Sequence, residues 1–531
     1  MHSGIKELEA IFLLLLGFVV LFGNLAHRMK VAYPIVLVVA GLLLSFIPGL
    51  PKISLNPELF FLAVLPPLLF HAAWETSWRE FRYNLVTILF MAFGLVGFTV
   101  LGLALAGERL FLFLDWKTGF LLGAIIAPTD AIAATAIARR VGLPQRITEI
   151  LEGESLVNDA TGLLALEFGL ALVLSGETPS VGASALRLLY LVAGGVAIGL
   201  AVGWVVHWLE RHIDDGPIEL TMGLVTAYAS YILAEQAHTS GVLAVVTCGF
   251  YLSRHSATFF SPAVRLQAYA LWDTIDFVLN GLVFLLIGLQ LPVVLGGLHQ
   301  YSKLTLISYA LTTSALVIAL RLLWVYPSTY VAFLFRKIIL KQNEELLPAK
   351  QIFVTGWTGM RGVLALAAAL SIPTMLENGR PFPSRDLILF LTFSVILVTL
   401  VVQGLTLPAL IRVLGLSGAS QLDGEEESAR QLMSNTALAY IDKRRQQDNP
   451  AFADIYDHLA VHHQDHLAPR LRGDKVDSEA ARDRYRQLSL DLVQAQRKTI
   501  LDLRSSGVIG DTLLRKLERE LDLSEARMRA L

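Results

Sequence analysis

One cysteine, Cys248, stands among 531 residues, so no intramolecular disulfide can form and a disulfide-stapled secreted scaffold is excluded. Charge is also scarce. Asp, Glu, Lys and Arg make up 17% of the chain, whereas soluble globular proteins carry about a quarter. The two signs nearly cancel, at −2 overall, which excludes a strongly basic nucleic-acid binder. No Gly-rich phosphate loop, dinucleotide fingerprint, zinc-ligand spacing or nucleophile elbow occurs. The missing phosphate loop argues against an ATP-driven pump. The missing nucleophile and metal constellations argue against an enzyme. What is abundant is apolar surface: 54% of the residues are hydrophobic. In water such a chain would expose large sticky patches, so its expected surroundings are a lipid bilayer.

The few charges are unevenly spread. Of the 88 Asp, Glu, Lys and Arg residues, 38 lie after position 417, in about a fifth of the chain. The pattern predicts a transmembrane domain over 1–415, an acidic linker over 416–428 and a charged helical tail over 429–531. A membrane-crossing helix needs roughly 20 apolar residues. Thirteen apolar runs can be read, from 8–26 to 386–414, with 240–253 the shortest. The expected fold is therefore an all-α polytopic membrane protein of about thirteen transmembrane helices, with a small helical domain at the C-terminus. The first run is long and carries Glu7 and Glu9 in place of a basic leader, so it reads as a span, not a cleaved signal. With the N-terminus outside, fifteen Lys and Arg residues fall in inside loops and eight in outside ones. This bias agrees with an odd number of crossings and a cytoplasmic tail. In that tail, His458, His462, His463 and His466 have metal-ligand spacing. They read as a solvated face, and no site is placed there.

Charged groups at mid-membrane are costly and point to function. Asp130 lies about 13 residues into its run, near 20 Å deep and close to the midplane. Pro128 removes a backbone donor and breaks the helix there, leaving Thr129 and Asp130 at the break. Broken helices at mid-depth are a usual construction for ion sites in secondary transporters. The following run holds Glu154-Ser155-Leu156-Val157-Asn158-Asp159. Ser155 and Asp159 share one helix face, and Glu154 and Asn158 the adjacent one. Hard oxygen ligands of this kind suit Na⁺, Li⁺ or H⁺ and not a soft transition metal. A third stretch, Thr355-Gly356-Trp357-Thr358-Gly359-Met360-Arg361-Gly362, loosens its helix with glycines and carries a permanent cation, Arg361, whose natural anions are Glu154 and Asp130. The two interrupted runs are seven apart and so cross in opposite directions, the pattern of inverted repeats. A single Asp in a long apolar run can serve as a structural hydrogen-bonding group. Three acids, an Asn, a Ser, an Arg and two breaks in three runs favour function. Accessory candidates are His71, after Leu65-Pro66-Pro67-Leu68-Leu69-Phe70, and Asn280, which shares a face with Asp273 and Asp276. Arg321 and Glu167 read as snorkelling or paired groups.

In this order, Leu-Pro-Pro-Leu-Leu-Phe at 65–70, Ala-Pro-Thr-Asp at 127–130, Gly-Glu-Ser-Leu-Val-Asn-Asp at 153–159, Phe-Leu-Leu-Ile-Gly at 284–288 and Thr-Gly-Met-Arg-Gly at 358–362 resemble the motifs of the monovalent cation:proton antiporter-1 family, the sodium/proton exchangers, in its bacterial branch. The resemblance covers about 8–415. It implies that Asp159 is the cation- and proton-binding carboxylate. Ser155 would be a side-chain ligand of Na⁺ and Thr129 a backbone and hydroxyl ligand. Asn158 would be the neutral neighbour that marks electroneutral one-for-one exchange. Asp130 and Glu154 would stabilise the site, with Arg361 paired to Glu154 and Asn158. The implied fold is an inverted-repeat core on a dimerisation domain, working as an elevator in a homodimer, for pH and sodium homeostasis. It needs no ATP, no nucleic acid and no cofactor beyond the transported ions: Na⁺ first, Li⁺ also, K⁺ as the live alternative. A cation channel with a sensor tail is the reading from another class, and no symmetric pore segment supports it. Two residues depart from the pattern. His71 stands where many members have an acid, and Asn280 where the animal exchangers have Glu.

Overall fold

The computed structural model describes residues 2–47, 57–110, 115–174, 181–341, 346–376, 380–416, 422–464 and 479–530. Each of the thirteen apolar runs carries a helix or consecutive helices, and among the described residues there is no named strand. Among the described residues, eight helices are long and apolar enough to cross a bilayer, nine if the bent pair Trp116–Ile126 and Ala131–Ala138 counts as one span. Of the other runs, Tyr33–Leu44 and Phe61–Glu75 are shorter apolar helices. The run read as 240–253 extends to Phe259 through the polar stretch Ser253-Arg254-His255-Ser256. The His-rich stretch of the tail cannot be compared: His466 and the side chains of His458, His462 and His463 lie outside the described residues.

Local chemistry sets the helix starts. Ser77, Asp115, Asp215, Ser240, Ser261 and Ser302 each accept a backbone N–H as N-caps. Pro34, Pro66, Pro217 and Pro262 occupy first-turn positions, where the missing N–H costs nothing. Two spans contain a π-helical turn, Phe90–Gly94 and Thr399–Gln403. Such turns re-aim side chains within an otherwise regular helix.

The helices pack most densely within two sets. One is formed by the segments over 78–174, 303–338 and 349–413. The other is formed by the segments over 2–44, 57–75 and 181–295. The two broken pairs, Trp116–Ile126 with Ala131–Val141 and Ala349–Trp357 with Val363–Leu370, both belong to the first set. A cavity of about 890 Å³ separates the sets, walled by Phe81, Val157 and Leu164 on one side and by Val196, Val242 and Val246 on the other.

The tail forms helices Leu422–Arg445, Ala453–Gln464, Glu479–Ser505 and Asp511–Ala530, with apolar cores around Tyr456 and Leu488 and around Ile500 and Leu514. Its last helix docks on both sets. Asp511 accepts the Ser77 hydroxyl at 2.9 Å, and Arg79 donates to the carbonyls of Ile509 and Gly507. Burial pushes the Asp511 carboxyl up, but Arg504, the Ser77 hydroxyl and Arg515 outweigh it and hold it below the usual range. On the other set, Arg515 donates to the Trp74 carbonyl at 2.8 Å, and Arg265 makes a bidentate pair with Asp522 at 2.7 and 3.0 Å. Asp522 also takes Arg497 at 2.7 Å.

Breaking a buried pair from one side costs about 3–5 kcal/mol; Glu518 beside Arg265 and Glu525 beside Arg497 offset part of that. Asp522→Asn is therefore expected to loosen the last helix from the membrane body. The measurement is limited proteolysis of the full-length protein, in which new cleavage should appear within 505–530. Unchanged protection would count against Asp522 as the anchor.

Candidate functional site

The site is built where the two helix breaks meet. Pro128 ends the Trp116–Ile126 helix, and Asp130 starts the next one by accepting the Ile132 N–H at 2.8 Å. The Asp130 N–H donates to the Met360 carbonyl at 2.9 Å, joining one break to the other. Gly362 permits this approach: a Cβ there would fall on the Asp130 carboxylate. Gly362→Ala is accordingly expected to push Asp130 off its helix end and to remove most transport. Retention of the wild-type rate in a vesicle flux assay would show that the crossing tolerates the displacement.

Beside this crossing runs the Gln145–Leu174 helix. Its two polar faces differ as their spacing predicts. Glu154 and Asn158 are buried, at 0% and 1% exposed, while Ser155 and Asp159 are only half-buried. The buried face forms a hydrogen-bonded chain. Asn158 Nδ2 donates to Thr129 Oγ1 at 2.7 Å, and Thr129 Oγ1 donates to Glu154 Oε1 at 2.9 Å. The Thr129 hydroxyl is thus engaged at both ends. Arg321, from the middle of the Lys303–Ile338 helix, closes the chain by a bidentate pair with Glu154, at 2.5 and 3.0 Å. Arg321 also donates to the Gly356 and Thr355 carbonyls, which ties the chain to the second break.

The half-buried face is uncommitted by comparison. Ser155 Oγ accepts only a long 3.3 Å bond from the Ala131 N–H. Asp159 makes no hydrogen bond or ion pair among the described residues, and the buried Asn158 Oδ1 has no partner. One anionic and one neutral side-chain oxygen, on the consecutive residues Asp159 and Asn158, are thus left without partners on the helix beside the crossing. Such a donor set can take a small hard cation or a proton. It lacks the imidazole and thiolate ligands that a resident transition metal would need.

The expected ion pair is corrected. Arg361 does not pair with Glu154, with Asn158 or with Asp130; Arg321 holds Glu154. Arg361 instead serves the helix ends. Its Nε donates to the Ile126 carbonyl at 3.0 Å, at the C-terminus of the first half-helix, and its guanidinium also meets the Gly359 carbonyl. A C-terminal helix end carries partial negative charge, so it supplies the counter-charge there. The Arg361 N–H donates to Thr399 Oγ1 at 3.1 Å, from the π turn of the last span. Arg321 carries the same kind of sequence signal as Arg361: a permanent cation inside an apolar run, about 18 residues into 303–330 as Arg361 is about 11 into 350–373. Of the two readings given to it, snorkelling or pairing, the structure shows pairing, with Glu154 as the partner that the sequence reading did not name. Glu167 pairs with Arg187 at 3.2 Å and lies away from the crossing.

The accessory candidates belong to the other set. Asn280 is fully buried and donates to Asp276 Oδ1 at 2.8 Å. His71 is 8% exposed and stacks on Trp272. Neither is hydrogen-bonded to the crossing. Asp276 links them electrostatically, since it interacts with Asp130 on one side and with His71, Glu75 and Asp273 on the other.

Comparison with known proteins agrees with this architecture. The family model for the transmembrane domain of sodium/hydrogen exchangers matches residues 13–413. An uncharacterised Na⁺/H⁺ exchanger of Mycobacterium tuberculosis is 32% identical over 518 residues, covering 95% of this chain and 93% of the relative. The Na⁺/H⁺ antiporter ApNhaP of Aphanothece halophytica is 33% identical over 415 residues, 78% of this chain and 75% of the relative. A sodium, potassium, lithium and rubidium/H⁺ antiporter of Bacillus pumilus is 32% identical over 426 residues, 78% of this chain and 63% of the relative. The fold resembles the sodium proton antiporter structure from Methanocaldococcus jannaschii with a TM-score of 0.57 at 20% identity, covering 77% of this chain and 99% of that one.

Proposed function

The chain belongs to the sodium/hydrogen exchanger family, a family of secondary transporters and not of enzymes, and we propose that it exchanges one monovalent cation for one proton at Asp159, without net charge movement. The observation that carries this reading is the contrast within one helix. Glu154 is locked by Arg321 and Thr129, whereas Asp159, five residues on, is half-buried and makes no hydrogen bond or ion pair among the described residues. A carboxylate that crosses a low-dielectric barrier empty bears its full desolvation cost. Either a cation or a proton removes that cost, so only the occupied site moves, and the two fluxes are coupled. A gradient of one pH unit supplies about 1.4 kcal/mol per proton and sustains roughly a tenfold cation gradient. No ATP is required.

Ser155 Oγ, Asn158 Oδ1 and the Thr129 carbonyl complete the cation's oxygen shell. Asn158 adds an oxygen without a second titrating acid, which supports one-for-one exchange. Glu154 and Arg321 hold Thr129 and Asn158 in place, and Asp130 and Arg361 neutralise the half-helix ends. Broken helices crossing in one set support an inverted-repeat core that slides against the other set as an elevator. The protein would act as a homodimer in the plasma membrane, with its N-terminus outside and its tail in the cytoplasm, serving pH and sodium homeostasis.

Na⁺ is the expected cation, with Li⁺ accepted. K⁺ is the second reading, because one relative is named for potassium as well as sodium. Proton efflux from proteoliposomes driven in turn by Na⁺, Li⁺ and K⁺ separates them. The expected result is a rate with Na⁺ and Li⁺ above that with K⁺ and insensitive to an imposed voltage. A current that scales with voltage would overturn the stoichiometry, and conductance without proton coupling would overturn antiport.

A further inference from the structure

The Leu65–Glu75 helix places His71 and Glu75 one turn apart, and the Pro262–Leu289 helix brings Asp273 against them. One ligand atom from each lies within 4.8 Å of the other two. We propose that His71, Glu75 and Asp273 form a binding site for one divalent transition-metal ion of the zinc, cobalt or nickel class, beside the Trp74 carbonyl on which the last tail helix docks.

Three observations support the site. First, His71 is a buried imidazole, 8% exposed, whose Nδ1 has no hydrogen-bond partner. Its ring lies parallel to the Trp272 indole, with centroids 5.9 Å apart and planes 5° apart, so it is held in one orientation without a polar partner. A buried donor or acceptor left unmade is costly, and ligation through Nδ1 would remove that cost.

Second, the donor set selects the metal. One imidazole and two carboxylates suit zinc, cobalt and nickel, whereas calcium and magnesium prefer oxygen alone. A tetrahedral ion with bonds of about 2.0–2.2 Å holds its ligand atoms roughly 3.4 Å apart, so modest side-chain rotation closes the cluster. Glu75 is half-buried and Asp273 exposed, which leaves a coordination position for water and a route for the ion to arrive.

Third, the position has a consequence. Asp276 interacts with all three ligands and also with Asp130 at the crossing. Glu75 follows Trp74, whose carbonyl takes Arg515 of the last tail helix. A divalent ion here sits beneath the tail and cancels the negative charge that draws cations toward Asp130 and Asp159. It should therefore slow exchange. This consequence rests on the exchange reading above, whereas metal binding does not.

The test is a Ni²⁺ titration of the full-length protein in nanodiscs, read by tryptophan fluorescence. A paramagnetic ion on His71 lies close enough to quench Trp272. The expected result is saturable quenching that Trp272→Phe diminishes, that Zn²⁺ reverses by competition and that Mg²⁺ does not. His71→Ala should weaken the apparent affinity by at least ~10-fold, in line with the loss of an imidazole ligand. Asp273→Asn, at an exposed position, should weaken it with the fold intact. Unsaturable quenching, or an affinity unchanged in both variants, would overturn the site. In a second arm, Zn²⁺ is applied to the tail-facing side of proteoliposomes, with each rate normalised to its metal-free value. Inhibition in the wild type that Asp273→Asn relieves supports the block. Saturable binding with undiminished exchange would overturn the block alone, and absence of any exchange in the metal-free protein would instead count against the exchange reading.

Discussion

Replacing Asp159 by Ala should reduce cation-driven proton efflux in proteoliposomes to the level of protein-free vesicles, while leaving the thermal stability of the protein almost unchanged. The two halves of this result follow from one fact. Asp159 is half-buried and makes no hydrogen bond or ion pair among the described residues. Its removal strands no donor and breaks no network. The cost to folding should stay near the ±0.5 kcal/mol typical of positions away from such features. Function should respond in full, because no other group at the crossing is both charged and uncommitted. Asp130 caps a helix, Glu154 is held by Arg321, and Arg361 serves the Ile126 carbonyl. Asp159→Asn sharpens the test. The amide mimics the protonated acid in shape but neither releases a proton nor attracts a cation, so it should fold normally and fail to exchange. Asp159→Glu keeps the charge and moves it by one methylene. It should retain measurable exchange with altered cation affinity. Exchange at the wild-type rate in Asp159→Ala would overturn the assignment outright.

Much of the site could be read from the residues. The apolar runs are long because a bilayer demands length, and each carries one helix or consecutive helices, eight of them long and apolar enough to span among the described residues. Pro128 predicted a break at 127–130, and the half-helix there ends at Ile126. The i, i+4 spacing of Ser155 with Asp159 and of Glu154 with Asn158 predicted two faces, and the first proved half-buried while the second is buried. The partner of Glu154 was less accessible, because two mid-span arginines compete for one acid and the choice depends on helix packing. Arg361, in the motif, looked like the natural partner. Arg321 reaches Glu154 because it passes over Gly359, where a Cβ would collide with its side chain. The glycines of that motif were visible, but what they make room for was not. The π turn that aims Thr399 at Arg361 leaves no sequence signal, since Thr399-Leu400-Val401-Val402-Gln403 reads as an ordinary apolar span. Nor did the tail's charges announce their burial. Asp522, Glu525 and Arg497 look like a solvated face until Arg265 is brought against them.

Removing one member of the Glu154–Arg321 pair should produce the opposite profile from Asp159, with loss of stability and function together. Both side chains are almost completely buried, at 1% exposure each. Glu154→Gln leaves Arg321 with the Thr355 and Gly356 carbonyls but no counter-charge, and Arg321→Gln leaves Glu154 with only the Thr129 hydroxyl. Uncompensated charges of this kind cost about 3–5 kcal/mol. The melting temperature of either purified variant should fall well below that of Asp159→Asn. The double variant is the decisive one. With both charges gone, the desolvation cost of each disappears, so stability should recover relative to the worse single variant. The resulting coupling should be on the order of 1–3 kcal/mol, as for groups in direct contact. Exchange should not recover with it, because Thr129 and Asn158 lose the fixed acceptor that orients them beside Asp159. The same cycle run with Arg361→Gln checks the pairing itself. Arg361 bonds to Ile126 and Gly359 and not to Glu154, so its coupling to Glu154→Gln should be the smaller of the two. A larger coupling to Arg361 than to Arg321, measured by thermal melts of the four variants in each cycle, would return the pair to Arg361.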